Sequence, residues 1–176
     1  MIDSSSAKAK VFWPVLILVY VADFVSKRMA VMELAPAYTP RPVIGDFFRL
    51  TLAYNRDAAM GLSLGGYSRV GFALTAAVVL VVLAVVYSKT PPAARGYALS
   101  LALIAAGALG NLTDRLMSPM GVVDFIDVGF GEARFYTFNI ADSAITCGAI
   151  LLAVLSMKGD SEAEKVSGKT QVQEKL

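Results

Sequence analysis

The chain has 176 residues, 56% hydrophobic and 17% charged, with a formal charge of +2 and a mean hydropathy of +0.61. Its length fits one domain, and the apolar share exceeds the soluble range, so it reads as an integral membrane protein. A charge so small and dispersed gives no support to nucleic-acid binding, and the absence of histidine removes Ser-His-Asp, Cys-His and HExxH zinc chemistry.

A short polar start bearing Lys8 and Lys10 leads into an apolar run, Val11 to Val25, interrupted only by Pro14 and Asp23. A basic start before an apolar core is also the pattern of a signal peptide. The run passes directly into Asp23-Phe24-Val25-Ser26-Lys27-Arg28 with no small-residue cleavage site, so it reads as a retained first spanning helix. Pro14 falls in the first turn of that helix, where a missing N–H does little harm. Asp23 and Lys27, four residues apart, share a face, and a local ion pair with Lys27 reaching the interface accounts for the spacing without function.

Glu33 to Gly66 reads as a long loop whose start is kept from helix by Pro36, Pro40 and Pro42. Phe48 to Asn55 then alternates, with Phe48, Leu50, Leu52 and Tyr54 on one face, the period of a half-buried strand. Asn55 to Gly61 continues as a polar loop. Val70 to Tyr87 has no charged residue and, at about 18 residues, is long enough to span. Tyr97 to Leu112 is the third span, where Ala102, Ala106 and Gly110 form a small-residue stripe suited to close helix approach. At its end Asn111, Asp114 and Arg115, at i, i+3 and i+4, point the same way.

Met117 to Thr137 is a second loop, in which Val122–Val128 and Ala133–Phe138 read as strands around a Gly129–Glu132 turn. With Phe48–Tyr54 they make a small antiparallel sheet on the membrane surface. Period-two alternation puts Asp124 and Asp127 on opposite faces, and alternation alone does not say which faces a site. Asn139 to Met157 is the fourth span. Asn139 fits its N-cap, which makes Asp142 the N3 residue, a place a carboxylate suits without any catalysis. Cys147, the only cysteine, leaves no disulfide within the chain and reads as a small packing residue. Residues 1–158 thus form one four-helix domain, and 159–176 a polar tail whose composition predicts disorder. Four spans put both termini on one side, but the Lys and Arg distribution leaves that side undecided.

A carboxylate at a membrane border is a functional hypothesis by default, and Asp124 and Asp142 make two. Two close carboxyls do not readily ionise together, so one keeps a proton while the other serves as a base for water. The polar clusters, in order, complete the pattern: Asp23 with Lys27; Tyr54-Asn55 with Ala58, Ala59 and Gly61; Gly107 to Arg115; Val123-Asp124-Phe125; and Phe138-Asn139-Ile140-Ala141-Asp142. In these the chain resembles lipoprotein signal peptidase (signal peptidase II) of bacterial inner membranes, from about Val11 to Met157.

The resemblance implies a catalytic dyad of Asp124 and Asp142. It implies a substrate site lined by Asn55, Asn111, Arg115 and Asn139, with Asp23 and Asp114 in support alongside Lys27. It also implies cytoplasmic termini, a site at the outer leaflet, and removal of the signal peptide on the amino side of a diacylglyceryl cysteine. The expected partners are lipid-modified precursors and membrane lipid; no obligate protein partner, metal or cofactor is called for. The chain departs from the family pattern at Asp57, Met60, Phe24 and Ala106. Two other classes fit parts of the sequence. A proton-coupled transporter or channel subunit would use Asp23, Asp114 and Asp142 as a relay, though the polar residues crowd towards one membrane face. A scaffold without chemistry would need the carboxylates to be only caps and ion pairs.

Overall fold

The computed structural model describes residues 5–56 and 68–173, with side chains placed over 7–56 and 68–158. The elements in order are α1 (Ser5–Glu33), β1 (Arg41–Ile44), β2 (Phe48–Asn55), α2 (Ser68–Lys89), α3 (Arg95–Met117), β3 (Val122–Phe130), β4 (Ala133–Arg134) and α4 (Ile140–Gln173). Among the described residues, four segments are long and apolar enough to cross a membrane: Ala7–Glu33, Ser68–Lys89, Arg95–Met117 and Ile140–Lys158. Each helix outruns its apolar core, because helical hydrogen bonds continue into the interfacial turns. Pro14 therefore lies inside α1, not in its first turn as expected. Membrane helices tolerate such a proline. The backbone of α4 stays helical past Lys158 into the segment read as a tail. Asp57, Met60 and the Ala58-Ala59-Gly61 motif fall outside the described residues.

α3 is the central helix, and its sequence explains why. Ala98, Ala102, Ala105, Ala106, Gly107, Ala108 and Gly110 are all buried, so neighbouring backbones approach closely. A Cβ on Gly107 would collide with the Ala141 carbonyl and with Ile145 of α4; one on Gly110 would collide with the Asp23 carboxylate of α1. Ala106, where the family pattern has glycine, is fully buried. Towards the end carrying the termini, Phe12 joins Ala98, Leu101, Ala102 and Ala105 in an apolar cluster.

α2 is peripheral, and most of its length faces lipid, with Leu74, Val78, Val81 and Val82 exposed. Cations hold both its ends. Lys8 Nζ donates to the carbonyls of Tyr87 (2.8 Å) and Thr90 (2.7 Å) at its C-terminal end. Arg69, at its other end, donates to two carbonyls of α3. Cys147 is exposed on α4, which corrects its assignment as a packing residue: it lies on the lipid-facing side of the helix.

The sheet has the order β1-β2-β3-β4, all antiparallel, and lies at the end of the bundle opposite the termini. β1 lies in the segment read as loop; despite Pro42 it forms an edge strand, paired among the described residues to β2. The return strand is shorter than the expected Ala133–Phe138. Paired residues stop at Arg134, the Phe135 N–H still donates to Val128 O at 2.8 Å, and after Tyr136 and Thr137 the chain rejoins the sheet at Phe138, opposite Ile126.

Candidate active site

Sequence position brings charge into the bundle at three points, and the structure joins them. Lys27, 2% exposed, lies 2.8 Å from the Asp23 carboxylate and 3.0 Å from that of Asp114. A buried ammonium of this kind needs paired charges and further acceptors. Its remaining donor goes to Asn111 Oδ1 at 2.9 Å. Asp23 also accepts from the Ala141 N–H at 2.8 Å, and Asp114 from the Val123 N–H at 3.2 Å. The cluster therefore ties α1 to α3, to the first turn of α4 and to the start of β3. Lys27 does not snorkel to the interface.

The start of α4 is built as a reciprocal cap. Asn139 Oδ1 accepts from the Asp142 N–H at 2.9 Å, and Asp142 Oδ2 accepts from the Asn139 N–H at 3.3 Å. The cap occupies only one carboxylate oxygen of Asp142. The other, Oδ1, accepts from Asn111 Nδ2 at 2.8 Å. The Asn139 amide meanwhile donates to Asp124 Oδ1 at 2.7 Å and to Asn111 Oδ1 at 3.2 Å. Asn139 is thus bonded to both Asp124 and Asp142, and it is fully buried.

Asp124 reaches this point because β3 turns it towards the bundle, while Asp127 faces the other way. Asp127 accepts from Thr51 Oγ1 (2.8 Å) and Arg134 Nε (2.6 Å) on the opposite face of the sheet. A β-bulge in β2 decides the partner of Asp124. Leu50 pairs with Ile126, but the next pair is Ala53 with Asp124, so β2 gains a residue and its alternation changes phase. Asn55, two residues past Ala53, comes onto the Asp124 face and hydrogen-bonds that carboxylate. Unbroken alternation would have left it on the other side. Burial, to 3% exposure, pushes the Asp124 carboxyl up from 3.8 to about 7, and the Asp142 charge adds to the rise. Hydrogen bonds from Asn55 and Asn139 and the charge of Lys27 oppose it.

A cavity of about 730 Å³ opens over both carboxylates. Its lining combines the polar side chains of Asn55, Asn111 and Arg115 with the apolar ones of Phe135, Phe138 and Ile145. Arg115 Nη1 donates to Asn111 O at 3.2 Å, and the charges of Asp142, Asp124 and Asp114 act on its guanidinium.

The model of the family described as Signal peptidase (SPase) II matches residues 15–158. The chain belongs to that family. Signal peptidase II is a hydrolase, and this member is a multi-pass protein of the bacterial inner membrane. The lipoprotein signal peptidase of Pseudomonas paraeruginosa is 40% identical over 158 residues, covering 88% of this chain and 92% of the relative. That of Streptomyces coelicolor is 37% identical, covering 86% of this chain and 72% of the relative. A solved structure described as a bacterial membrane enzyme, obtained by the in meso method at 2.3 Å, superposes with a TM-score of 0.75 at 29% identity. That match covers 84% of this chain and 88% of the other.

Within this signal peptidase II fold, all nine residues singled out from the sequence meet in one connected cluster around the cavity or directly beneath it. Tyr38, Phe135, Tyr136 and Thr137 also line the cavity and were not singled out. The aromatic run just before Asn139 was the available signal for three of them. Tyr38 left none, since its place depends on a left-handed turn (φ 62°) and on its N–H bonding Leu52 O at 2.7 Å.

Proposed function

We propose that the chain removes the signal peptide from diacylglyceryl-modified bacterial lipoprotein precursors, cutting before the lipidated cysteine with Asp124 and Asp142 acting on water. One observation carries this reading: Asn139 is bonded to both carboxylates, and both carboxylates line one cavity with polar and apolar neighbours. Asp142 is the base. Its carboxylate oxygens accept from Asn111 Nδ2 and the Asn139 N–H, and the start of α4 favours negative charge. Asp124, whose carboxyl is pushed up to about 7, is the acid.

Asp142 takes a proton from the water as the water oxygen bonds to the scissile carbonyl carbon. Asp124 gives its proton to the carbonyl oxygen, producing a neutral tetrahedral diol. The C–N bond then breaks, the leaving amine taking the proton from Asp142 while a diol hydroxyl returns one to Asp124. Asn55, Asn111 and Arg115 hold the substrate backbone. The apolar lining residues receive acyl chain or signal-helix side chains. The site faces the outer leaflet, and both termini are cytoplasmic, on the side opposite the sheet.

The purified chain, reconstituted with a diacylglyceryl precursor peptide, should release a signal peptide, and an unlipidated peptide should be left intact. Equal cleavage of both peptides, or of neither, would overturn the reading. Reporters fused near Tyr38 should behave as exported, and those in Ser88–Arg95 as cytoplasmic.

A further inference from the structure

Asn111, Asp114 and Arg115 sit in the last two turns of α3, and a helix end leaves carbonyls without intrahelical donors. The Ser118 N–H satisfies Asp114 O at 2.8 Å. The next two carbonyls are met from α2. Arg69 Nε donates to Arg115 O at 2.5 Å and its Nη2 to Leu116 O at 3.1 Å, a cation at a helix C-terminus. Phe72, three residues on and so on the same face of α2, holds its ring 5.8 Å from the Arg115 guanidinium carbon. One side chain grips the backbone of Arg115, and the other flanks its charged end. Neither lines the cavity that Arg115 lines.

We propose that Arg69 and Phe72 are positioning residues for the reaction, fixing the Arg115 guanidinium over the cavity so that it meets the substrate in one orientation. This rests on the reading of Arg115 as a substrate-holding group. A guanidinium on a long stem is effective only when its planar fork is aimed, and binding geometry lost by about 1 Å can cost on the order of a hundredfold in rate. α2 supplies the aim from outside the cavity, by contacts with the backbone and the ring-facing side of Arg115.

The test uses the full chain in lipid vesicles with a diacylglyceryl precursor peptide. Arg69→Met should lower kcat/KM by about tenfold while insertion stays intact, mostly through KM, since a substrate-holding group has been misaimed. Arg69→Lys should recover part of this, because an ammonium still reaches one of the two carbonyls. Phe72→Leu should lower kcat/KM by a few-fold, and it leaves the helix-end bonds in place, so it carries the test even if Arg69→Met fails to insert. The decisive measurement repeats the substitutions in an Arg115→Gln background, where neither should cost anything further. Undiminished losses there would mean that α2 merely stabilises the bundle and would overturn the proposal, as would full activity in both single variants. Full activity of Arg115→Gln alone would instead overturn the reading of Arg115, and this proposal with it.

Discussion

The ammonium of Lys27 lies 2.9 Å from Asn111 Oδ1, and that contact decides which end of the amide faces Asp142. With Oδ1 committed to Lys27, Nδ2 points at the carboxylate and donates at 2.8 Å. A residue in the first helix thereby sets a hydrogen bond to a carboxylate of the fourth. Lys27→Met should remove this control and leave Asp23 and Asp114 buried without a counter-charge, costing about 3–5 kcal/mol. Thermal unfolding in detergent checks it, and adding Asp114→Asn should restore part of the loss.

Asp124→Asn and Asp142→Asn should each lower cleavage by several orders of magnitude with normal insertion. The double variant should be little worse than either if, as proposed, the two act as a unit. If Asp142 served only as a cap, asparagine would replace it at a cost of at most about 1 kcal/mol. Asp127→Asn is the control. Its bonds to Thr51 and Arg134 lie on the other face of the sheet, so cleavage should largely persist.

The raised Asp124 carboxyl fixes the sign of a pH effect. In the proposed mechanism Asp124 donates a proton and must be neutral, so cleavage should decline as pH rises through about 7. Stability follows the same direction. A carboxyl that titrates at 3.8 when exposed and at about 7 when folded contributes fully below the lower value. Its contribution is lost as pH rises through the upper one. Asp124→Asn should flatten the unfolding free energy between about pH 4 and 7 relative to the unsubstituted chain.

Gly107→Ala should be far more disruptive than its single added methyl implies. The new Cβ meets the Ala141 carbonyl, which belongs to the first turn of α4 and cannot rotate away. The helix must move as a body and carry Asp142 with it. We expect a cost of about 1–3 kcal/mol in detergent unfolding, with a loss of cleavage larger than the fraction unfolded would explain.

Truncation after Lys158 should leave insertion and cleavage nearly unchanged, because the segment beyond it is polar and lacks a core pattern. Loss of activity in a normally inserted truncation would reveal a functional segment there.

The spans were legible because lipid demands long uncharged runs, and the cap at Asn139 because caps use few residue types. The relation of Asp23 and Lys27 was visible as spacing, but the third member was not, since Asp114 joins them only through tertiary contact. Asn55 was placed by the resemblance alone. The strand's own alternation groups Leu52 with Tyr54 and gives no sign of the bulge that shifts Asn55 to the Asp124 face. The extent of β4 was overestimated for a related reason. Phe135 to Thr137 have strand-like composition, but beyond the Phe135 N–H bond to Val128 O the run turns out of the ladder and lines the cavity.

The bond from the Ala141 N–H to Asp23 joins residues 118 positions apart, which has a consequence for biosynthesis. At about 5–20 residues per second, α1 enters the bilayer on the order of ten seconds before α4 exists to receive it. Through that interval Asp23 and Lys27 would each cost about 2.5–3.5 kcal/mol in lipid if they stood alone. Their i,i+4 spacing gives each a counter-charge inside the same helix, 2.8 Å away. A nascent chain ending before Ile140 should therefore hold α1 in the bilayer with the pair intact and lose it with Lys27→Leu, as glycosylation mapping would read. The pair shelters the helix while it waits for α3 and α4, and the same two side chains then become the inner brace of the site.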